Sequence, residues 1–163
     1  MSKPMIHSND GIFYIENVPV KKITEDYGTP AYVYSKQLII DTFHSFRNSF
    51  KQFDPLVCFA VKANSNIAIL NLLAEQGAGF DIVSEGELKR VIAAHGDPRK
   101  VVFSGIGKSI NEISFAINHN ILAFNVESEG ELRRIQSVAK SLNKKASISI
   151  RVNPNVDAKT HPY

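Results

Sequence analysis

The chain of 163 residues has a single cysteine, Cys58. It has no partner for an internal disulfide, and the usual metal-ligand spacings are missing, so no metal is expected. Within an apolar run Cys58 reads as a small buried hydrophobe, with a nucleophilic role as the minor alternative. No apolar run approaches the roughly 20 residues of a membrane helix. Met1-Ser2-Lys3-Pro4-Met5 is followed by polar residues instead of an apolar signal core. A cytoplasmic protein with no membrane partner is therefore expected. A strong charge of one sign is also lacking. The net charge is only +3, and the pairs Lys21-Lys22, Lys89-Arg90, Arg133-Arg134 and Lys144-Lys145 are dispersed among acidic neighbours. A nucleic-acid surface gathers its basic residues on one face, so these pairs read as solvated helix faces.

A phosphate loop is absent as well, although Ser104-Gly105-Ile106-Gly107-Lys108-Ser109 suggests one. The glycine required five residues before Gly107 is replaced by Val102. A turn into a helix capped near Ser109 accounts for the segment.

What is present is a globular composition, 44% hydrophobic and 21% charged, and an alternation of short apolar runs with amphipathic segments. Residues 56–61 are six apolar residues in a row, as in a strand buried on both faces. A helix over 66–76 follows, ended by Gly77. Strands are then expected over 78–83, 101–103, 121–126 and 146–152, with helices over 84–95, 109–119 and 128–142. Such βα alternation implies parallel strands with helical crossovers. The unit length suits either a (β/α)8 barrel or an open doubly wound sheet. Before residue 56 the pattern differs: a short strand over 13–15, a helix over 20–27 stopped by Gly28, a strand over 31–34, and a helix capped by Ser35 that reaches about residue 53.

The stretch Phe80-Asp81-Ile82-Val83-Ser84-Glu85-Gly86-Glu87-Leu88-Lys89-Arg90 recurs 44 residues later as Phe124-Asn125-Val126-Glu127-Ser128-Glu129-Gly130-Glu131-Leu132-Arg133-Arg134. Both copies carry Ser-x-x-Glu, the pattern of a capping box. Glu131 reads as a helix N-terminus, and so does Glu87, which is also a site candidate. Lys62 directly follows the apolar run. At the carboxyl end of a parallel strand a side chain reaches the usual active-site mouth. A lysine held there among apolar neighbours is a ready nucleophile toward an aldehyde. Taken alone, a strand-end lysine is more often a snorkelling surface group.

Phe59-Ala60-Val61-Lys62-Ala63-Asn64-Ser65-Asn66 closely resembles the cofactor-lysine motif of the fold-type III pyridoxal-phosphate (PLP) enzymes. Gly79-Phe80-Asp81-Ile82-Val83-Ser84-Glu85-Gly86-Glu87 resembles the second strand and helix start of the diaminopimelate decarboxylases. The loop at Ser104-Gly105-Ile106-Gly107-Lys108-Ser109 resembles their third. Arg151-Val152-Asn153-Pro154-Asn155-Val156-Asp157-Ala158-Lys159-Thr160-His161-Pro162-Tyr163 resembles their fifth-strand loop. The resemblance implies an alanine racemase-like partial PLP-binding (β/α)8 barrel, α/β in class, with about five βα units over residues 35–163. Residues 1–34 would belong with the family's β-domain. It further implies that PLP is carried on Lys62. Asp81 and Arg151 would lie beside the cofactor, with Glu87 and His161 on the substrate side. His7, His44, His95 and His119 match no motif and read as structural.

The implied reaction is decarboxylation of meso-2,6-diaminopimelate to L-lysine by a homodimer with shared active sites. Ornithine, arginine or carboxynorspermidine decarboxylases, an amino-acid racemase, and a non-catalytic remnant or half-barrel that binds a partner are the alternatives. A complete enzyme of this family is more than twice as long, so the chain is expected to be an N-terminal part. It is expected to be inactive and poorly folded by itself, with its first and fifth strands as edges.

Overall fold

A computed structural model describes residues 6–156 and 159. The chain divides into two compact units, Met1–Pro55 and Leu56–Tyr163.

In the first unit, β1 (Ile6–Asn9), β2 (Ile12–Ile15) and β3 (Val18–Pro19) form an antiparallel sheet. Asp10 and Gly11 join β1 to β2 with φ of 49° and 76°. Two consecutive positive φ values are what a two-residue hairpin turn requires, and Asp-Gly supplies them. Helix α1 (Val20–Tyr27) ends where Gly28, at φ 76°, donates its N–H to the Thr24 carbonyl at 2.9 Å. The expected strand over 31–34 is not formed; those residues have no regular structure. Helix α2 (Lys36–Ser49) begins at Ser35, whose hydroxyl accepts from the Leu38 N–H and donates to Glu16. It stops earlier than expected and gives way to a 3-10 turn, Lys51–Phe53.

The second unit is a parallel sheet of β4 (Cys58–Ala60), β5 (Gly79–Ile82), β6 (Val101–Phe103), β7 (Ala123–Val126) and β8 (Ile148–Ile150), each hydrogen-bonded to the next in sequence order. A doubly wound sheet reverses its strand order at a switch point; a barrel never does. The uninterrupted order is therefore an arc of a (β/α) barrel, with β4 and β8 as its outer strands. The intervening helices are α3 (Ile67–Glu75), α4 (Glu85–Ala93), α5 (Ile110–Asn118) and α6 (Glu129–Ser141).

Local chemistry sets the helix ends. Asn66, Ser84, Ser109 and Ser128 each accept a backbone N–H of the first turn. After α3, Gly77 at φ 84° donates to the Ala74 carbonyl and Ala78 to that of Leu73. This is a Schellman closure with the glycine in the left-handed position. Only α5 carries the full capping box, through Ser109 and Glu112. In α4 and α6 the glutamates reach one residue further back, Glu87 to the Val83 N–H at 2.7 Å and Glu131 to the Glu127 N–H at 2.9 Å.

Strand alternation separates two faces. Phe80, Ile82, Val101, Phe103, Phe124 and Val126 point to the helices and are buried. Burial of each large side chain contributes about 1.5–3 kcal/mol, and this layer holds the unit together. The other face carries Ala60, Asp81, Val102, Ser104, Ala123 and Asn125, all half-buried. The expectation of a first strand buried on both faces is therefore not met. Only residues 58–60 join the ladder, each half-buried, and Leu56 is exposed. Being outermost, β4 has a strand neighbour on one side only.

Candidate functional site

The polar face carries Asp81, and Lys62 and Arg151 follow the carboxyl ends of β4 and β8. Asp81 is the register partner of Ala60 on β4 and of Val102 on β6. Two residues beyond Ala60 comes Lys62, inside a single 3-10 turn, Val61–Ala63. That turn takes Lys62 out of the ladder while Val61 stays buried. Lys62 is exposed, and its amine has no hydrogen bond or ion pair among the described residues. The expected enclosure among apolar neighbours is thus replaced by an open, unengaged amine.

The Asp81 carboxylate accepts the Ser104 hydroxyl proton at 2.5 Å, and Ser104 in turn accepts from the Asn125 amide at 2.9 Å. Asp81 and Asn125 are equivalent positions of the 44-residue repeat. The sheet brings both against one serine just past the strand between them. Behind Asp81, burial pushes the Cys58 thiol up, and the Asp81 charge adds to the effect. Cys58 stays a protonated packing group. Gly79 beside it has no room for a side chain, because a Cβ would lie 2.5 Å from the Lys100 carbonyl oxygen and 2.7 Å from the Cys58 sulfur.

Arg151 follows β8 and extends its ladder by one bond, N–H to the Val126 carbonyl at 2.9 Å. Its guanidinium pairs with Glu127 at 3.3 Å and is 67% exposed. Glu87 is half-buried and spends one carboxylate oxygen on the Val83 N–H. His161 lies outside the described residues.

One cluster was not anticipated. Lys108 is 1% exposed, and its ammonium donates to Glu131 at 2.5 Å, the Gly105 carbonyl at 2.7 Å and the Asn125 carbonyl at 2.9 Å. It also lies 5.5 Å from the centre of the Phe103 ring. Three acceptors consume its three protons. Glu131 is thus both a helix N-terminus and a buried counter-ion. The Gly105–Gly107 loop is not a phosphate cradle, since its lysine is fully committed. A groove of about 790 Å3 runs beside α6 and β8, lined by Leu132, Ile135, Ala139 and Ile148. It is on the helix-facing side, away from Asp81, so it belongs to packing and not to the polar face. Among the described residues no group of His, Cys, Asp or Glu could hold a metal ion, and no helix is long and apolar enough to cross a membrane.

An exposed amine just past one strand end, with a hydrogen-bonded carboxylate on the neighbouring strand, has the chemistry to meet an aldehyde. Residues 36–163 match the family described as pyridoxal-dependent decarboxylase, pyridoxal binding domain. The chain belongs to this decarboxylase family. Its relatives include the diaminopimelate decarboxylase of Vibrio cholerae, 54% identical over 96% of this chain and 38% of that protein. The crystal structure of diaminopimelate decarboxylase from M. jannaschii in complex with L-lysine superposes with a TM-score of 0.91 at 39% identity, over 97% of this chain and 38% of that one. The Helicobacter pylori enzyme complexed with L-lysine gives 0.86 at 48% identity, over 88% and 36%. The chain therefore spans about 38% of the length of the curated relatives it matches.

Proposed function

We propose that this chain is the pyridoxal-binding part of a diaminopimelate decarboxylase that converts meso-2,6-diaminopimelate to L-lysine and carbon dioxide. The observation that carries the reading is the unengaged Lys62 amine at the carboxyl end of β4. Relatives at about half identity that bear this activity support it. So do neighbours crystallised with L-lysine. PLP, when bound, would supply an aldehyde for amine attachment and a ring that takes up the electron pair left behind on the substrate carbon as carbon dioxide departs. The residues of this chain do the placing. Lys62 would be the point of attachment. Asp81 would offer a carboxylate to orient that lysine. Arg151, its charge balanced by Glu127, would lie beside the cofactor. Glu87, with one oxygen unspent among the described residues, and His161 are assigned to the substrate side.

The same reading makes residues 35–163 the barrel part and residues 1–34 a portion of a β-domain. The family match beginning at residue 36 supports that division. A cytoplasmic homodimer with shared sites and an amino-acid substrate completes the proposal.

The test uses the product of the complete gene. Mixed with PLP, it should develop a visible absorption band that borohydride fixes on Lys62. It should release carbon dioxide from meso-2,6-diaminopimelate well above the rate with ornithine or arginine. A fixed label elsewhere than Lys62 removes the cofactor assignment; preference for ornithine or arginine removes the substrate.

A further inference from the structure

The Ser104 hydroxyl has one proton to give. It is 2.5 Å from Asp81 Oδ1 and 2.9 Å from Asn125 Nδ2. An amide nitrogen only donates, so the proton goes to Asp81 and the serine lone pair receives Asn125. The chain of bonds has one direction and ends on a carboxylate that must accept. The other Asp81 oxygen has no hydrogen bond among the described residues. One oxygen is therefore pinned and the other is left at a defined place.

The backbone around this chain is pinned from below. The Lys108 ammonium holds the carbonyl of Asn125 and that of Gly105, the residue after Ser104. Glu131 neutralises it in a buried pair. Two of the three polar residues are thus fixed through one cation that solvent does not reach. None of the three polar side chains contributes to the helix-facing core.

We propose that Ser104 and Asn125 are positioning residues that hold Asp81 as the orienting carboxylate for Lys62, with the buried Lys108–Glu131 pair as their anchor. This rests on the reading of Lys62 as the cofactor lysine. Lys62 has no partner among the described residues to fix it, so its amine must take its geometry from a neighbour. Register places Asp81 beside Ala60, two residues before Lys62. A carboxylate free to rotate would orient the amine less often, and cofactor attachment would slow.

The experiment follows the growth of the visible band when the cofactor-free product of the complete gene is mixed with PLP, together with its thermal melting. Ser104→Ala should slow attachment about tenfold, the scale of one hydrogen bond to a charged group, with the melting temperature unchanged. Ser104→Thr keeps the hydroxyl and should restore the rate. Asn125→Leu should slow it by a smaller factor. Lys62→Ala is the control that assigns the band. If the band persists in Lys62→Ala, the cofactor-lysine reading fails and this inference with it. If the band depends on Lys62 but Ser104→Ala matches the wild-type rate, positioning alone is overturned. If Ser104→Ala lowers rate and melting together and Ser104→Thr restores neither, the serine is a packing residue and the inference is again overturned.

Discussion

Lys62 and Lys108 both stand where the chain has left a parallel strand and not yet entered the following α-helix, yet their circumstances are opposite. Lys62 follows β4 by two residues, is exposed and has no partner among the described residues. Lys108 lies between β6 and α5, is 1% exposed and donates to three oxygens. Removing two charges from water costs several kcal/mol per ion, and a buried pair barely recovers it, so its value lies in geometry more than in net stability. One end of the sheet thus holds a lysine that fixes backbone and another that no described residue engages. The largest effect expected from breaking this contrast is on the fixed side. Lys108→Met leaves Glu131 buried without a counter-charge and should cost about 3–5 kcal/mol by urea denaturation of the intact protein. Lys108→Met with Glu131→Leu should recover most of that loss. A single variant that unfolds at the wild-type midpoint would show that the pair fixes nothing.

The contrast also marks what was readable beforehand. Ser35, Ser84, Ser109 and Ser128 announced their helices, and Gly28 and Gly77 their ends, because capping acts within a few residues. The Lys62 motif lies within one strand and one turn. Lys108 and Glu131 are 23 residues apart, and the local pattern of each, a Gly-Lys-Ser turn and a Ser-x-x-Glu helix start, says nothing of the other. They meet only once β6, β7 and their helices are in register. The Asp81–Ser104–Asn125 chain depends on register in the same way, although a signal for it existed. The 44-residue repeat makes Asp81 and Asn125 equivalent on strands two apart, yet the register aligns Asp81 with Val102 and Ala123, and it is Ser104, just past β6, that reaches both. Asn9-Asp10-Gly11-Ile12 carries a hairpin signal, Asp-Gly between the paired residues Asn9 and Ile12. Residues 31–34 form no strand, since apolar and aromatic residues in a row say nothing of whether a ladder partner exists.

A smaller effect is expected beside Lys108, at the start of α5. Glu112 closes the capping box and also accepts the Glu85 N–H at 3.3 Å, so one carboxylate serves two helix starts. The Ser109 N–H holds its carboxyl below the usual carboxylate range, burial opposes this, and the Ser109 hydroxyl, the Glu85 N–H and the Lys108 charge add to the lowering. The folded state therefore favours the ionised form. Its stabilisation is fully present above the unfolded value of about 4.3. It is lost as pH falls through the lower folded value. Glu112→Gln cannot ionise, so its urea midpoint should fall less than that of wild type on acidification below about pH 5. Parallel acid dependence in the two proteins would remove Glu112 from the fixed network.

The smallest effect on stability belongs to the residue with the largest assigned role in chemistry. Lys62 is exposed and has no charged partner among the described residues. Exposed substitutions of this kind change stability by about 0.5 kcal/mol or less. Lys62→Met should thus unfold with the wild-type midpoint in the cofactor-free protein, while losing the band that borohydride fixes. The comparison must be made without cofactor, because a ligand that binds only the folded state raises apparent stability by mass action. If cofactor-free Lys62→Met is destabilised by more than about 1 kcal/mol, well outside that range, Lys62 is a packing residue in solution and the division between fixed and free lysines fails. If the midpoints coincide, the strand end tolerates any side chain at position 62, and the reason for a lysine there is chemical.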